Sequence, residues 1–417
     1  MVELNFKAGD KVRFRLSDRE LDAVVLESPD SGIVLVKLES GYNIGIPKEN
    51  ILASRVLKKL EEEQKEEKEI EKRSNLPSIG LIITGGTIAS KVSQSTGGVK
   101  PITSANEFLS FYPELTQIAN IKKLEIPFKI FSENMSSEHW IEIAECVYEM
   151  LSDDEIHGVV VSHGTDTLHY TSAALSFFLK DLNKPVALTY SQKSIDRASS
   201  DASMNLQSAA RFALSDCAEV AIVGHASTND DYCYAIRGTK ARKLHSSRRD
   251  AFQSINSEVL AKISDGVEFL TRYKKRDNKR KVVLDKSYSD KVALVKFYPG
   301  QDASILDYYA LKCKGIVIEG TGLGHVADSW IPALRKHIRN GLVVCMASQT
   351  IFGRVDPYVY STGRELEEAG VIFLEDMTSE CALVKLGFIL GHYGWKANAA
   401  EKMLENFAGE FSDKLGL

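Results

Sequence analysis

The chain has 417 residues, of which 44% are hydrophobic and 26% are charged, as is ordinary for a globular protein. A chain of this length folds into roughly two to four domains. Its formal net charge of -5 excludes a global attraction to nucleic acid or to an anionic membrane. The six cysteines have no Cys-x-x-Cys spacing, residues 1–7 lack the apolar run of a secretory signal, and no apolar run is long enough to span a bilayer. We therefore expect reduced thiols, a cytoplasmic location and no contact with a membrane.

Residues 1–56 predict a small β module. Strand-like runs occupy 11–15, 22–27 and 33–38, with a turn at 29–32. Short strands at this spacing are typical of an SH3-like barrel. Two roles are open on this pattern: a structural appendage, or a module that docks a partner or contacts RNA.

A charged segment at 57–77 follows the β module. It is rich in Glu and Lys four residues apart, which favours a solvated helix, and Asn75-Leu76-Pro77 ends it. We interpret this segment as a helical linker at the clearest domain boundary of the chain. A partner-binding helix is the weaker alternative, because Leu57, Leu60 and Ile70 make only a thin apolar face.

From residue 78 the sequence alternates between strand and helix patterns. Predicted strands of a larger domain, 78–280, lie at 79–83, 129–131, 158–162, 186–189, 220–223 and 232–236, and predicted helices at 137–151, 170–182 and 200–215. A polar break at 271–290 leads into a smaller domain, 281–417, with predicted strands at 292–295, 315–318 and 342–345. This alternation predicts an α/β fold with a doubly wound, mostly parallel sheet and two unequal α/β domains.

Two of the predicted strands end in glycine-centred turns that carry hydroxyl groups. Thr84-Gly85-Gly86-Thr87 follows the strand at 79–83, and His163-Gly164-Thr165-Asp166-Thr167 follows the strand at 158–162. Open α/β sheets bind ligands at the carboxyl ends of their strands, so the two turns are expected to form one composite site. Spacing alone nevertheless favours the structural alternative, in which these threonines cap helices.

The chemistry of this site is expected to come from hydroxyls, a carboxylate and a lysine. The chain contains no Gly-x-x-x-x-Gly-Lys-Ser/Thr loop, no His-Glu-x-x-His motif and no Gly-x-Ser-x-Gly elbow. A threonine nucleophile needs a base, and a lysine whose pKa is lowered by burial can serve. Asp166 could orient that lysine or bind a substrate ammonium group. His163 has no ligand-spaced neighbour, so we expect a strand-end residue hydrogen-bonded to the backbone and not a metal ligand.

The two turns closely resemble the paired motifs of the L-asparaginase/glutaminase family, and the resemblance runs from about residue 78 to the end. It implies an asparaginase-like fold in which Thr87 attacks the side-chain amide. A lysine nine residues before a phenylalanine is typical of the family, and Lys243 before Phe252 matches this spacing. The resemblance implies catalytic roles for Thr87, Thr165, Asp166 and Lys243, substrate-binding roles for Ser132, Glu133 and Asp166, and no metal or cofactor in this chain.

Two features set the chain apart from free-standing asparaginases. The stretch at 90–98, where the family lid carries a tyrosine, has none, and the β module and linker precede the asparaginase-like part. Together with the run Glu-Gly-Thr-Gly-Leu-Gly-His at 319–325, this extension resembles the glutaminase subunits of archaeal tRNA-dependent amidotransferases over essentially the whole chain. A free-standing cytoplasmic L-asparaginase/glutaminase is the alternative. A catalytically silent binding module is disfavoured, because all four core positions carry chemically competent residues.

The second resemblance implies how the reaction is divided between subunits. This chain would hydrolyse glutamine to glutamate and ammonia, and a separate E subunit would use ATP and Mg²⁺ to convert Glu-tRNA(Gln) to Gln-tRNA(Gln). A homodimer within a heterotetramer is also implied. The basic run at 274–281 is expected to be a solvated loop, with contact to tRNA phosphates as the alternative.

Overall fold

The computed structural model describes residues 5–26, 28, 30–40, 42–59, 75–92, 99–102 and 105–413. Its first unit is a five-stranded antiparallel sheet in the order β4-β3-β2-β1-β5, with these bounds: β1 (Lys11–Arg15), β2 (Glu20–Leu26), β3 (Ile33–Leu38), β4 (Asn43–Pro47) and β5 (Ala53–Lys58). The predicted strands at 11–15 and 33–38 are confirmed. Their alternating pattern buries Val12, Phe14 and Val36 in a core that belongs to this unit.

Two strand limits in the β module differ from the sequence pattern. The strand predicted at 22–27 begins earlier, at Glu20, and Glu27 lies outside the described residues. Lys58 pairs with Lys11 of β1, so the strand β5 extends into the segment predicted as the helical linker. Residues 60–74 of that linker lie outside the described part of the chain.

The second unit is built on an eight-stranded sheet in the order β18-β17-β14-β13-β12-β10-β6-β9. Five neighbouring strands of this sheet run parallel to one another: β9, β6, β10, β12 and β13. The other three, β14, β17 and β18, each pair antiparallel with the strand before them. The elements of this unit are β6 (Ser78–Ile83), β7 (Ser90–Val92), β8 (Val99–Pro101), α1 (Ala105–Phe111), α2 (Leu115–Ile118), β9 (Asn120–Glu125), α3 (Ser137–Leu151), β10 (Ile156–Ser162), α4 (Leu168–Phe178), β11 (Leu179–Lys180), β12 (Val186–Thr189), α5 (Ala202–Ala213), β13 (Val220–His225), β14 (Cys233–Arg237), β15 (Ala241–Lys243), β16 (Phe252–Ser254), β17 (Ala261–Ile263), β18 (Val267–Phe269) and β19 (Val283–Leu284).

Most of the predicted elements of this unit are present with ends within two residues of the prediction, but one predicted strand is absent and one helix ends four residues early. Residues 129–131 form no strand, and the edge of the sheet is instead β9, which pairs with β6. The helix predicted at 170–182 ends at Phe178, because the next two residues pair with β19. The hairpin of β7 and β8 occupies the predicted lid stretch, and residues 93–98 between its strands lie outside the described residues.

The third unit is a four-stranded parallel sheet in the order β20-β21-β22-β23. Its three predicted strands are confirmed, each extended by one or more residues at its carboxyl end. The elements are β20 (Val292–Lys296), α6 (Ile305–Lys312), β21 (Gly315–Gly320), α7 (Ile331–Arg339), β22 (Val343–Ser348), α8 (Ser361–Glu368), β23 (Ile372–Phe373), α9 (Ser379–Gly391) and α10 (Ala399–Leu404).

Helix α9 joins the two α/β units through a shared hydrophobic core. Phe388 of α9 stacks on Phe177 of α4 with ring centroids 6.0 Å apart. One cluster of buried residues contains Val159 and Leu175 of the second unit together with Val317 of the third. The predicted fold class is thereby confirmed: a larger and a smaller α/β domain preceded by a β-rich module. Among the described residues, none of the helices has both the length and the apolar character needed to cross a bilayer.

Candidate active site

Two neighbouring parallel strands place the glycine-centred turns side by side. β6 and β10 pair with Ile83 opposite Ser162, so both leave the sheet at the same edge. The backbone N–H and the hydroxyl of Thr84 both donate to the carbonyl oxygen of Ser162, at 3.2 and 2.9 Å. The two turns that the sequence predicted to form one site therefore start from a common, hydrogen-bonded point.

Close backbone contact holds the turns together and requires glycine. Gly86 has a φ of 78°, in the left-handed region. A Cβ atom on Gly86 would lie 2.6 Å from the Cα atom of Gly164 in the second turn. Thr87 follows directly, half-buried at the start of the 3-10 turn Thr87–Ala89. The contact therefore fixes the predicted nucleophile beside the 163–167 turn.

Ser132 completes the site from a third segment. Ser132 is 3% exposed, and its Oγ accepts a hydrogen bond from the backbone N–H of Asp166 at 3.2 Å. Its carbonyl oxygen accepts a hydrogen bond from the hydroxyl of Thr167 at 2.6 Å. A Cβ atom on Gly164 would lie 2.8 Å from Ser132 Oγ, so the serine packs directly on the second turn. Glu133, the other substrate-binding residue predicted here, is exposed.

Lys243 reaches the second turn from a two-stranded hairpin. Its Nζ donates to the Thr165 hydroxyl at 2.8 Å and to Oδ1 of Asp166 at 2.7 Å. Lys243 and Phe252 are cross-strand neighbours in the pairing of β15 with β16. The nine-residue spacing between this lysine and phenylalanine therefore sets the length of the hairpin that carries Lys243.

The two partners of the ion pair between Lys243 and Asp166 differ in their exposure to solvent. The side chain of Lys243 is 10% exposed, whereas that of Asp166 is 64% exposed. The amine therefore faces Thr165 in a sheltered position, and the carboxylate is open to a ligand. A hydroxyl, an amine and a carboxylate in direct contact can move a proton and bind a cationic group at the same place.

His163 is hydrogen-bonded to the backbone at the end of its strand, as predicted. Its Nδ1 donates to the carbonyl oxygen of Gly164 at 2.7 Å, and its Nε2 lies 2.9 Å from the hydroxyl of Thr171. Burial lowers the pKa of His163 to about 4, so the imidazole is neutral near pH 7. Among the described residues, no group of three or more His, Cys, Asp or Glu side chains is arranged to hold a metal ion.

Two supporting hydroxyls of the site escaped the sequence prediction. Thr167 was noted only as part of the second turn, yet it ties that turn to Ser132. Tyr112 is 1% exposed and donates to the carbonyl oxygen of Ile88, beside Thr87, at 2.6 Å. The position of Thr167 within the motif could have indicated its role in the site. No local sequence pattern indicates Tyr112, because its partner Ile88 lies 24 residues away in the sequence.

Comparison with known proteins connects these features to a family. Profiles described as "Asparaginase, N-terminal", "Glutaminase/Asparaginase C-terminal domain" and "GatD N-terminal domain" match residues 78–275, 291–404 and 6–57. The chain is 47% identical to the D subunit of glutamyl-tRNA(Gln) amidotransferase from Pyrococcus furiosus, over 99% of this chain and 96% of that protein. It is 45% identical to the D subunit of the same enzyme from Archaeoglobus fulgidus, over 96% and 94%. The chain belongs to the family of glutamyl-tRNA(Gln) amidotransferase D subunits.

Solved structures similar to this family member include L-asparaginases. The thermostable L-asparaginase of Thermococcus kodakarensis has a TM-score of 0.72 and 30% identity, covering 81% of this chain and 100% of that chain. L-asparaginase I of Vibrio cholerae has a TM-score of 0.69 and 26% identity, covering 81% and 99%. The alternative of a free-standing asparaginase is not favoured, because the amidotransferase relatives match almost the whole chain, including the β module.

Proposed function

We propose that this chain is the glutamine-hydrolysing subunit of a glutamyl-tRNA(Gln) amidotransferase, an asparaginase-type amidohydrolase with Thr87 as nucleophile. The observation that carries the proposal is the pair of hydrogen bonds from Lys243 Nζ to Thr165 and Asp166, beside the turn that presents Thr87. Relatives named as the D subunit of that enzyme match the chain almost from end to end and support the substrate class.

In the first step, Oγ1 of Thr87 attacks the side-chain amide carbon of glutamine. The proton of Thr87 passes to Thr165, whose own proton passes to Lys243. The relay uses Lys243 as a neutral amine at this moment, so the hydrogen bond between Nζ and Thr165 reverses its direction. The C–N bond then breaks, ammonia leaves with the transferred proton, and the glutamyl group remains as an ester of Thr87.

In the second step, a water molecule cleaves the ester. The same relay removes a proton from the water as its oxygen attacks the ester carbon, and the proton returns to Thr87 as glutamate leaves. Backbone N–H groups of the two glycine-centred turns would hold the negative oxygen in both steps. The rigid contact between Gly86 and Gly164 suits this task, because donors that are already in place need no rearrangement during the reaction.

The substrate-binding proposal follows from the hydrogen bonds of Ser132 and Asp166. Oγ of Ser132 accepts from the N–H of Asp166, and its own hydrogen remains available to donate to the α-carboxylate of glutamine. Asp166 uses Oδ1 for Lys243 and has a largely exposed carboxylate, which suits the α-ammonium group. Glu133, exposed beside Ser132, is proposed to contribute to the same end of the substrate.

The relatives are named as one subunit of an amidotransferase, which supports a partner subunit. The finer assignments follow from the resemblance of the sequence to archaeal tRNA-dependent amidotransferases. The partner is proposed to be an E subunit that binds ATP, Mg²⁺ and Glu-tRNA(Gln) in the cytoplasm, and this chain a homodimer within a heterotetramer. We also propose the domain limits 1–56, 57–77, 78–280 and 281–417, with β5 ending at Lys58, two residues beyond the first limit. Separate hydrophobic cores in the β module and in the α/β part of the chain support the separation of the module from the rest of the chain.

The decisive experiment measures ammonia released from glutamine and from asparagine. The purified chain is assayed alone and then with a candidate E subunit and Glu-tRNA(Gln). Hydrolysis of glutamine that rises sharply with partner and charged tRNA is the expected result. Equal and fast hydrolysis in both conditions, especially of asparagine, would instead identify a free-standing amidohydrolase, and no release under any condition would identify a silent binding module.

A further inference from the structure

The hairpin that carries Lys243 is a small element with two faces. β15 and β16 have three residues each and pair only with one another in their sheet. An isolated two-stranded hairpin is marginally stable, so contacts outside the pair must fix the position of the lysine. Side chains alternate along a strand, and Arg242 therefore leaves β15 on the side opposite to Lys243.

Two cations next to Lys243 form ion pairs with the smaller α/β domain. Nζ of Lys240 lies 2.7 Å from Oδ2 of Asp376, and both side chains are 0% exposed. Nη2 of Arg242 lies 2.9 Å from Oε1 of Glu380, with 23% and 8% of the two side chains exposed. Arg242 within β15 and Lys240 just before it thus tie the strand of Lys243 to the first turn of α9 and to the segment before that helix.

The partners of these cations are themselves held in place. Oδ1 of Asp376 accepts a hydrogen bond from the backbone N–H of Ser412 at 3.1 Å. Glu380 lies in the first turn of α9, where a carboxylate is favoured by the helix dipole, and the hydroxyl of Thr378 caps that turn. The two carboxylates therefore act as fixed anchors for the hairpin.

The far strand of the hairpin is fastened to the same region. The side-chain amide of Asn256, just after β16, donates to the carbonyl oxygens of Gly353 and Asp376 at 2.8 and 3.1 Å. Oδ1 of Asn256 accepts from the N–H of Gly353 at 2.9 Å. Both ends of the hairpin thus depend on the smaller domain, although the groups that Lys243 contacts belong to the larger one.

We propose that Lys240 and Arg242 are positioning residues, which use Asp376 and Glu380 of the smaller domain to hold Lys243 at Thr165. The role of Lys243 in proton transfer rests on the proposed function. The positioning role concerns only the distance between Lys243 Nζ and Thr165 Oγ1, which can be measured without activity. A displacement of about 1 Å at a reacting group can lower a rate about 10²-fold, so anchors that contact no substrate can control turnover.

The pair between Arg242 and Glu380 is the one to test, because the Lys240–Asp376 pair is fully buried. Removing one partner of such a pair leaves a buried charge and unfolds many proteins, whereas replacing both partners with apolar residues is often neutral for stability. The test variant is therefore the double substitution Arg242→Met/Glu380→Leu. Arg242→Lys serves as the conservative variant, since it keeps a cation opposite Glu380.

The matched control is Arg248→Met, which breaks an ion pair between an exposed arginine and the largely buried Asp250 in the loop of the same hairpin. Each variant of the full chain is crystallised, its thermal unfolding is recorded, and its kcat and KM for glutamine are measured with the partner subunit. The crystal structure gives the distance from Lys243 Nζ to Thr165 Oγ1, which requires no activity. The kinetic constants separate loss of turnover from loss of binding.

We expect the double variant to unfold at nearly the parent temperature, to lose the hydrogen bond from Lys243 to Thr165, and to show kcat about 10- to 100-fold lower with KM changed less than about threefold. Arg242→Lys and Arg248→Met should keep the hydrogen bond and most of kcat. A double variant that keeps the parent distance of 2.8 Å, or the parent kcat, would overturn the positioning role. If the parent itself releases no ammonia, the proposed function fails, and the measured distance still decides the positioning role.

Discussion

Thr165 has one hydroxyl and two tasks in the proposed relay, since it must accept a proton from Thr87 and give one to Lys243. Valine has nearly the same shape and lacks this hydroxyl, so Thr165→Val should fold normally and lower kcat about 10³-fold or more. Release of ammonia from glutamine measures the effect. Thr228→Val is the control at an exposed loop position and should keep parent activity. Normal turnover by Thr165→Val would remove Thr165 from the relay.

Tyr112 holds the backbone next to Thr87, the proposed nucleophile. Its hydroxyl donates to the carbonyl oxygen of Ile88, and burial raises the pKa of the phenol, so the donor stays protonated at any working pH. Tyr112→Phe should lower the free energy of unfolding by about 1 kcal/mol and kcat about tenfold, with KM nearly unchanged. The control, Tyr288→Phe, alters a tyrosine packed against Trp140 and Phe178, away from the turns. Equal kcat values in both variants would show that the bond is only structural.

At the scale of the elements, the contact between the two glycine-centred turns leaves no room for a side chain at Gly86. Gly86→Ala would place a Cβ atom 2.6 Å from Gly164 Cα, and backbone cannot yield as a flexible side chain does. Gly300 offers a matched control, because its φ is 81° but no atom lies within 4 Å of an added Cβ. Both variants place an alanine at positive φ, but Gly86 also has a ψ of 175°, a backbone region essentially restricted to glycine, so Gly86→Ala carries the larger strain, about 1–3 kcal/mol. Gly86→Ala alone should also lose activity, about 10²-fold in kcat, whereas similar kcat values would mean that the turns tolerate separation.

The strand prediction failed at the edge of the larger sheet for a physical reason. Residues 129–131 contain two adjacent apolar side chains, but Phe131 is 58% exposed and Ile130 uses its N–H to reach the Thr84 carbonyl. This segment is a connection that places Ser132, not a strand. The true edge strand, β9, has half-buried residues throughout and two adjacent lysines, as edge strands tolerate. Hydrophobic pattern identifies central strands better than edges.

The site was predictable to the extent that it lies on local patterns. Thr87 and Thr165 follow recognisable strand ends, and parallel strands bring such ends to one edge. Lys243 could be placed through family spacing alone, because its hairpin is short and its side chain meets Thr165 across a long stretch of chain. The pairing of Arg242 with Glu380 follows from domain packing, which leaves no periodic signal in the sequence.

At the scale of the whole molecule, the β module has its own hydrophobic core, which includes Val12, Phe14 and Ile51. Removal of residues 1–59 should therefore leave the thermal unfolding of the α/β part within about 2 °C of the parent value. The basal release of ammonia should also persist, because every predicted site residue lies after residue 78. We expect the truncated chain to lose stimulation by the E subunit. Full stimulation would instead identify the module as a structural appendage, the other role left open by its sequence.

Acid sensitivity of the whole fold should originate near the 163–167 turn. Burial lowers the pKa of His163 to about 4 and that of His169 to about 3, while an unfolded histidine titrates near 6.5. Both are neutral when folded, so their contribution to stability is complete above pH 6.5 and is lost as the pH falls, because the unfolded chain takes up the protons first. For His163 the loss from pH 7 to pH 4 is roughly 3 kcal/mol. His163→Gln should flatten this part of the stability profile relative to the parent, and His157→Gln, at a half-exposed position of β10, should not. Parallel profiles for all three proteins would show that His163 takes up its proton at the same pH in the folded and unfolded chains, so that its burial is not a source of acid sensitivity.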